Sequence, residues 1–311
     1  MTGDFAVSVV IPLYNKKAFI RRTLESAIAQ THPAAKIIIV DDSSTDGSVD
    51  AIEDLVSSRV KVFRQANAGP GPARNRGIAE ARSEWIAFLD ADDLWLPEHL
   101  TTLAEVAAAF PDAAVVASGH RRICRDESLP LADQAHHAAR RVDFFREAQV
   151  GEALHTSAVA VRRASLDEAN GFGAFSPGED MDMWIRLALA NSIARSERAT
   201  AGYRQDTGGL MNALDAGKSF DPQRQPMFTS LAAAMESTDD PDRRRDIRGL
   251  RDSLLSNSVK QELYRGDARA ARLLIWDCKR VGAPVPLSFR LLALLPGWFG
   301  IAAIRLAVRL R

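Results

Sequence analysis

Short apolar runs alternate with stretches of helical periodicity through the first part of the chain. Runs rich in β-branched residues predict strands at 7–11, 37–40, 60–63, 85–89 and 114–116. Between the first two runs, apolar residues recur from Phe19 to Ile28 at the spacing of a helix that buries one face. Similar spacing follows Gly47, the Gly/Pro segment 69–72 and Pro97. Strands that alternate with helices predict right-handed crossovers and a mostly parallel sheet, which is an α/β fold.

The pattern changes in the second half of the chain. From about Arg121 to Arg141 the residues are polar and charged, which predicts a connector or a mobile surface segment. An apolar stretch at 157–161 and a helical pattern follow, and beyond Gly208 the pattern is helical throughout. We therefore predict an α/β domain over 1–210, divided near residue 120, and a helical C-terminal region over 211–311.

Carboxylates stand at the ends of two predicted strands. An acidic pair at 41–42 ends one apolar run, and an acidic cluster at 90–93 ends another. Clustered carboxylates repel one another unless a positive charge offsets them, and a divalent cation that bridges to a phosphate does so. In parallel sheets, ligands bind at the carboxyl ends of the strands. Solvated turn aspartates explain one such pair, whereas two with the same placement favour a site for a phosphate-bearing ligand.

Composition excludes several classes of protein. The 40 Lys and Arg residues balance the 40 Asp and Glu residues, so no overall charge attracts nucleic acid. Cys124 and Cys278 lack the spacing of a metal site or a disulfide framework, which predicts a reducing compartment. The N-terminus has no basic segment followed by an apolar stretch, so we expect no secretory signal and a cytoplasmic location.

The last stretch of the chain differs in charge. No acidic residue follows Asp277, whereas basic residues do, interleaved with apolar ones. Arg290, Pro296 and Arg305 interrupt the apolar positions, so the ~20 apolar residues of a membrane-spanning helix are not predicted. Two alternatives fit residues 285–311. They form a basic amphipathic helix in the membrane interface, at the inner face of the cytoplasmic membrane, or a helix packed on the protein core.

Five segments in register resemble the signature of glycosyltransferase family 2. They are residues 7–15 (VSVVIPLYN), 24–31 (LESAIAQT), 38–48 (IIVDDSSTDGS), 71–78 (GPARNRGI) and 85–93 (WIAFLDADD). The resemblance implies a GT-A fold, with a nucleotide-sugar half over 1–120 and an acceptor half over 121–210. It also implies an inverting, metal-dependent hexosyltransferase. The donor would be a nucleoside-diphosphate sugar, preferably a UDP-sugar, and the acceptor a hydroxyl of a lipid-linked or cell-envelope saccharide.

The resemblance assigns donor-binding roles to the ends of the first two strands. Pro12, Tyr14 and Asn15 belong to the turn after the first strand, where the Tyr14 ring offers a flat face to a pyrimidine base. Packing is the alternative role for Tyr14. Asp42 accepts a hydrogen bond from the base or the ribose, or it caps the following helix, with Asp41 the more structural of the two.

Arg74 and the acidic cluster supply the phosphate and metal chemistry. Arg74 follows a Gly/Pro loop and opens a helix, which is a favourable place to contact a diphosphate. By the resemblance, Asp92 binds the Mg²⁺ or Mn²⁺ carried by the diphosphate, and Asp90 holds the ribose or a metal-bound water. Asp93 caps or orients the residues that follow.

Residues 178–187 (GEDMDMWIRL) resemble the acceptor-side motif of the family. Inversion at the anomeric carbon requires a carboxylate that takes the proton of the acceptor hydroxyl. The resemblance assigns this general base to Asp180, with the neighbouring Glu179 as the second candidate. Trp184 either stacks on an acceptor sugar or belongs to the core.

Residues 203–206 (YRQD) depart from the family, which often has a histidine at the fourth position. Either Asp206 or Gln205 replaces it, or the metal keeps an additional water, as Mg²⁺ readily does. The missing histidine motivates a second hypothesis. In it the chain is a non-catalytic module, derived from a glycosyltransferase, that binds a nucleotide-sugar or anchors partners.

Overall fold

The chain folds into two compact units. The computed structural model describes residues 5–124, 138–150, 154–174, 178–204 and 225–294. The first unit comprises Met1–Phe144 and Glu152–Thr207, and the second comprises Phe145–Gly151 and Gly208–Arg311. The strands and the candidate site residues all belong to the first unit.

The strands of the first unit form one sheet. They are β1 (Val7–Leu13), β2 (Lys36–Asp41), β3 (Val60–Arg64), β4 (Trp85–Phe88), β5 (Leu94–Trp95), β6 (Ala113–Ile123), β7 (Arg140–Arg141), β8 (Val159–Arg162) and β9 (Ser192–Arg204). Their order is β3-β2-β1-β4-β8-β6-β9-β5, and β7 pairs with β9. β1 to β4 pair only in parallel with one another, whereas β8 runs antiparallel between β4 and β6. The predicted α/β fold is confirmed, with a sheet that is mixed as a whole.

Helices cover the sheet of the first unit. They are α1 (Ile20–Ile28), α2 (Pro70–Glu80), α3 (His99–Ala109), α5 (Arg163–Glu168) and α6 (Glu179–Ala190), while α4 (Phe144–Glu147) lies where the two units divide. Gly77 allows α2 to lie directly on β1, because a Cβ at this position would overlap Cγ1 of Val10. The helical pattern after Gly47 forms a 3₁₀ helix, Asp50–Leu55, and a second 3₁₀ helix spans Thr156–Ala158.

The polar stretch 121–141 is not a connector throughout, and that prediction was wrong at both ends. β6 continues through Ile123, and Arg140–Arg141 form β7. β6 pairs with β9 as far as Ile123, whose partner is Arg204, and backbone hydrogen bonds form there whatever the polarity of the side chains. Residues 125–137 lie outside the described part of the chain.

The described part of the second unit is helical, as the periodicity predicts. Its helices are α7 (Pro226–Ser237), α8 (Pro241–Arg265), α9 (Ala268–Arg280) and α10 (Leu287–Leu292), with a 3₁₀ helix at Ala148–Val150. α8 ends at Gly266, which has a φ of 79°, and Asp267 then caps α9 by accepting a hydrogen bond from the Ala270 N–H. None of the helices in the described ranges is long and apolar enough to cross a bilayer.

Candidate active site

Three parallel strands end at the same edge of the sheet and carry the candidate donor residues. In the β1–β2 register Leu13 lies beside Asp41, so Tyr14 and Asp42 leave the sheet next to each other. β4 ends two residues before Asp90, on the other side of β1. Because the carboxyl ends of parallel strands meet at one edge, the structure brings these segments together where a ligand of such a sheet binds.

The turn after β1 is held in place while its aromatic ring remains exposed. Val10 is the last residue of β1 that pairs with β4. Pro12 lies beyond it, so the N–H that a proline lacks removes no hydrogen bond between these two strands. Asn15 has a φ of 50°, and its Oδ1 accepts a hydrogen bond of 2.8 Å from the Thr45 N–H. The side chain of Tyr14 between them is 50% exposed. The turn therefore presents a ring at the edge of the sheet.

The Asp42 carboxylate is buried and holds the loop that leads into α2. Its Oδ1 accepts hydrogen bonds from Gln65 Nε2 at 2.8 Å and from the Ala68 N–H at 2.9 Å, and its Oδ2 accepts one from the Gly69 N–H at 2.8 Å. A carboxylate has about four acceptor positions, so these bonds leave one. Asp42 therefore does hold the start of a helix, as one of its two predicted roles requires. That helix is α2, whose N-cap is Gly69, and not the next helix along the chain.

Arg74 lies deeper than the sequence suggests. α2 begins at Pro70, so Arg74 is in the second turn and does not open the helix, which corrects the prediction. The guanidinium is buried and donates to Asp90 Oδ1 at 2.8 Å and to Glu179 Oε1 at 2.9 Å. Burial opposes its charge, but Asp90, Glu179 and Asp180 outweigh that effect and raise the pKa of Arg74. Arg74 therefore joins the donor-side and acceptor-side carboxylates.

The rest of the segment 71–78 reinforces this junction. Asn75 Nδ2 donates to the Phe172 carbonyl at 2.8 Å, and the Phe172 N–H donates back to Asn75 Oδ1 at 2.7 Å. Gly71 lies so close to the carbonyl oxygen of Gly173 that no side chain fits between them. The first residues of α2 therefore pack against Phe172 and Gly173.

The carboxylates of Asp90 and Asp92 already face positive charges. Asp90 pairs with Arg74, and Asp92 Oδ2 lies 2.5 Å from Lys16 Nζ. In the described ranges, no group of three or more His, Cys, Asp or Glu side chains is arranged to hold a metal ion. Two carboxylates fit an ion such as Mg²⁺, which takes its remaining oxygen ligands from phosphates and water. They do not fit an ion enclosed by protein ligands alone.

Asp93 is an internal residue of this cluster. Its Oδ2 accepts a hydrogen bond of 2.5 Å from Ser157 Oγ, and its Oδ1 accepts one of 2.8 Å from the Arg204 N–H. Burial, together with the charges of Asp90 and Asp92, raises the pKa of Asp93 well above its usual range. Asp93 therefore orients the segment after β4.

Two adjacent carboxylates at the start of α6 have different environments. Glu179 is buried and paired with Arg74, and burial raises its pKa against the lowering effect of that arginine. Asp180 is partly exposed, and Thr156 Oγ1 donates to its Oδ2 at 3.4 Å. Of the two candidates for a general base, Asp180 is the one with a partly exposed side chain.

Trp184 belongs to the core. Its side chain is 2% exposed, and its ring lies edge-on to Phe88 and Phe172, with centroids 6.4 and 5.9 Å away. Of the two alternatives for this residue, the core role describes the structure. An acceptor sugar cannot stack on a ring in this position, so we leave Trp184 out of the acceptor site.

Some residues that line this region were not among the site residues predicted from the sequence. Lys16 and Thr156 contact the predicted metal ligand and the predicted base, but neither carries a pattern that distinguishes it from a surface residue. The ring of His155 packs between His120 and Tyr203, with centroids 4.7 and 4.6 Å away. Burial and the adjacent His120 lower the pKa of His155 to about 4, so it is neutral at pH 7. Gln205 and Asp206, the predicted replacements for the missing histidine, lie outside the described residues.

Comparison with known proteins identifies the family of this chain. The family model described as glycosyl transferase family 2 matches residues 8–168. An uncharacterized glycosyltransferase of Nostoc sp. is 42% identical over 132 residues, which are 42% of this chain and 40% of that protein. A putative teichuronic acid biosynthesis glycosyltransferase of Bacillus subtilis, TuaG, is 38% identical over 111 residues, 33% of this chain and 44% of that protein. The matched regions thus span less than half the length of these relatives.

A solved structure shares the fold over nearly the whole chain. The crystal structure of S. aureus TarS 1-349 in complex with UDP-GlcNAc superposes with a TM-score of 0.67 and 22% identity. The match covers 98% of this chain and 91% of that one. At this identity the similarity to TarS shows the fold alone. The family is shown by the family model, which covers more than half of the chain. This chain therefore belongs to glycosyl transferase family 2 and has the GT-A fold.

Proposed function

We propose that this chain is an inverting hexosyltransferase that moves a sugar from a UDP-sugar to a hydroxyl of a lipid-linked or cell-envelope saccharide. The observation that carries the proposal is the Arg74 bridge, which places the donor-side Asp90 and the acceptor-side Glu179 on one guanidinium, next to Asp180. TarS, which has the same fold, was solved with UDP-GlcNAc, and this supports the choice of donor. The name of TuaG supports a polysaccharide as the product.

On the donor side, the edge of the sheet offers an exposed ring and a fixed loop. We propose that Tyr14 stacks on the base, with Pro12 and Asn15 setting the position of its ring. Asp42 holds the loop 65–69 and uses its remaining acceptor position for the base or the ribose. Arg74 keeps Asp90 in place toward the ribose.

Enzymes of this family generally use a divalent metal ion. Asp92, with Asp90 beside it, would hold Mg²⁺ or Mn²⁺ together with the diphosphate oxygens of the donor. When bound, the ion would neutralise the charge that develops on the departing nucleoside diphosphate. Because the Lys16 ammonium lies on Asp92 Oδ2, Lys16 must release that carboxylate before another cation takes its place.

On the acceptor side, Asp180 takes the proton of the attacking hydroxyl. The acceptor oxygen then forms a bond to the anomeric carbon on the face opposite the diphosphate. The bond from that carbon to the diphosphate oxygen breaks, and its electron pair leaves with the nucleoside diphosphate. Thr156 orients the Asp180 carboxylate by its hydrogen bond, and Glu179 neutralises part of the charge of Arg74.

A lipid-linked acceptor resides in a membrane, so we also propose that the enzyme works at the inner face of the cytoplasmic membrane. The basic, apolar tail at 285–311 supports this location, and residues 295–311 of it lie outside the described part of the chain.

A donor screen tests the proposal directly. We expect a UDP-sugar with Mn²⁺ to raise the melting temperature more than a GDP- or dTDP-sugar does. Asp92→Asn should abolish the part of this rise that depends on the metal. Asp180→Asn should keep donor binding and lose about 10²- to 10⁴-fold in turnover. Asp167→Asn, at an exposed carboxylate on α5, is the matched control. Donor binding without transfer across broad acceptor panels would favour the non-catalytic module instead.

A further inference from the structure

One face of α9 combines exposed apolar and basic side chains. Leu273 and Trp276 are 61% and 60% exposed. The other exposed residues within the helix are all basic: Arg269, Arg272, Lys279 and Arg280. These six positions recur in steps of three and four, which places them on one side of the helix. The opposite side, which includes Leu274 and Cys278, is buried in the cluster that contains Val259 of α8.

α10 extends this face with further apolar side chains. Leu287 and Leu291 of α10 lie four residues apart and are 66% and 56% exposed, and Leu294, just beyond the end of the helix, is 72% exposed. Arg290 lies exposed among them. An Nη1–H of Arg272 donates to the Ala293 carbonyl at 2.7 Å, which fixes α9 to the end of α10. We refer to the exposed apolar and basic side chains named in this paragraph and the one before it as the α9–α10 surface.

The acidic residues near this surface point elsewhere or are occupied. Asp277 is half-buried on the side of α9, with Oδ1 3.9 Å from Arg280 Nη1. Asp267 caps the first turn of α9 through the Ala270 N–H. Basic residues therefore determine the charge of the exposed face.

We infer that the α9–α10 surface docks on an anionic lipid bilayer. Large apolar side chains exposed to water along two helices mark an interaction surface. A basic face that also carries Trp and Leu side chains suits the lipid interface. There Trp276 and the leucines enter the boundary of the acyl chains, and the basic groups contact lipid phosphates, each contributing favourably. Arg280 lies 5.3 Å from the Trp276 ring centroid, so the two side chains can reach the interface together.

The α9–α10 surface gives the membrane contact of the proposed function a specific location. Its biological purpose rests on that proposed function. It places the contact on described helices, ahead of residues 295–311 of the tail. It requires no donor, metal or catalysis, so a lipid-binding assay fails or succeeds independently of the donor screen.

Vesicle binding by the full chain tests the inference. We expect sedimentation with vesicles of phosphatidylcholine containing phosphatidylglycerol, little with phosphatidylcholine alone, and release by salt. Arg269→Glu with Lys279→Glu should weaken partitioning at least about tenfold, because each basic residue near the surface contributes about fivefold. Leu273→Ser with Trp276→Ser should weaken it similarly. Arg248→Glu, at an exposed position on α8, is the charge control and should bind like the parent chain.

Fluorescence distinguishes this surface from residues 295–311. Trp85, Trp95 and Trp184 are buried, and the fifth tryptophan, Trp298, lies within 295–311. If the α9–α10 surface enters the bilayer, acyl-brominated lipids should quench Trp276, and Trp276→Phe should remove most of the quenching. Equal quenching in Trp276→Phe, or no preference for anionic vesicles, would overturn the inference. It would also be overturned by a concentration-dependent dimer that Leu273→Ser with Trp276→Ser dissociates, since a second copy of the chain would then be the partner.

Discussion

The ammonium of Lys16 lies 2.5 Å from Oδ2 of Asp92, although the two residues are 76 positions apart in the chain. Both side chains are largely shielded from solvent, so the attraction between them is stronger than in an exposed pair. Asp92 is also the residue proposed to hold the metal ion. Lys16 therefore places a positive charge where the donor's cation would bind.

Replacing this lysine should strengthen metal binding. We expect Lys16→Met to bind Mn²⁺ about fivefold more tightly, because Asp92 loses a competing cation whose contribution is on the order of 1 kcal/mol. Calorimetry or the electron paramagnetic resonance of free Mn²⁺ measures this without turnover. Lys17→Met, at the exposed neighbouring position, should leave the affinity unchanged. Weaker Mn²⁺ binding in Lys16→Met would show that Lys16 supports the ion and does not compete with it.

Removing Arg74 should destabilise the first unit. Arg74→Met leaves the carboxylate of Glu179 buried without its ion-pair partner, so we expect a loss of about 3–5 kcal/mol in the free energy of unfolding. Adding Glu179→Gln should restore part of that loss. Arg76→Met removes an exposed pair with Glu80 and should change stability by less than about 0.5 kcal/mol. Urea unfolding measures all three variants, and an equal loss with and without Glu179→Gln would contradict the expectation.

Asp93 should make stability depend on pH. Its folded pKa is raised, so above the unfolded value of about 3.9 the folded state holds a proton that the unfolded state has lost. Stability is therefore lost as the pH rises from that value through the folded pKa. Asp93→Asn cannot ionise and can still accept from the Arg204 N–H and donate to Ser157 Oγ.

We expect Asp93→Asn to lose less stability than the parent chain as the pH rises above the unfolded value of about 3.9, in urea unfolding at a series of pH values. Asp167→Asn, at an exposed position, should follow the parent chain. Parallel curves for Asp93→Asn and the parent chain would mean that Asp93 is ionised in the folded state.

Two aromatic residues should respond in opposite ways to substitution. Tyr14→Ala should weaken UDP binding by about 1–3 kcal/mol, the range for stacking of a base on an aromatic ring, with little change in melting temperature. Trp184→Ala should destabilise the fold by about 3–5 kcal/mol, because the ring fills the core. Tyr264→Ala, at a partly exposed tyrosine of α8, is the control for nucleotide binding. Calorimetry with UDP and thermal melting separate the two effects.

The strands, the family and the placement of the acidic residues could be predicted because they depend on local patterns. Buried parallel strands appear as short apolar runs, so the runs at 37–40 and 85–89 locate the edge of the sheet. The end of β6 could not be predicted in this way. The polar residues that precede Ile123 are in a strand because β9 lies alongside and pairs with them.

The sequence by itself determined which residue types are available at the edge of the sheet: the tyrosine after β1, the carboxylates after β2 and β4, and the acidic start of α6. Only the tertiary structure decided what each of them contacts. Asp92 meets Lys16, Arg74 joins Asp90 to Glu179, and Trp184 is in the core. The physical reason is that an ion pair or a buried contact depends on distance in space. Residues such as Arg74 and Glu179, 105 positions apart, come within 2.9 Å only after the sheet and its helices have packed.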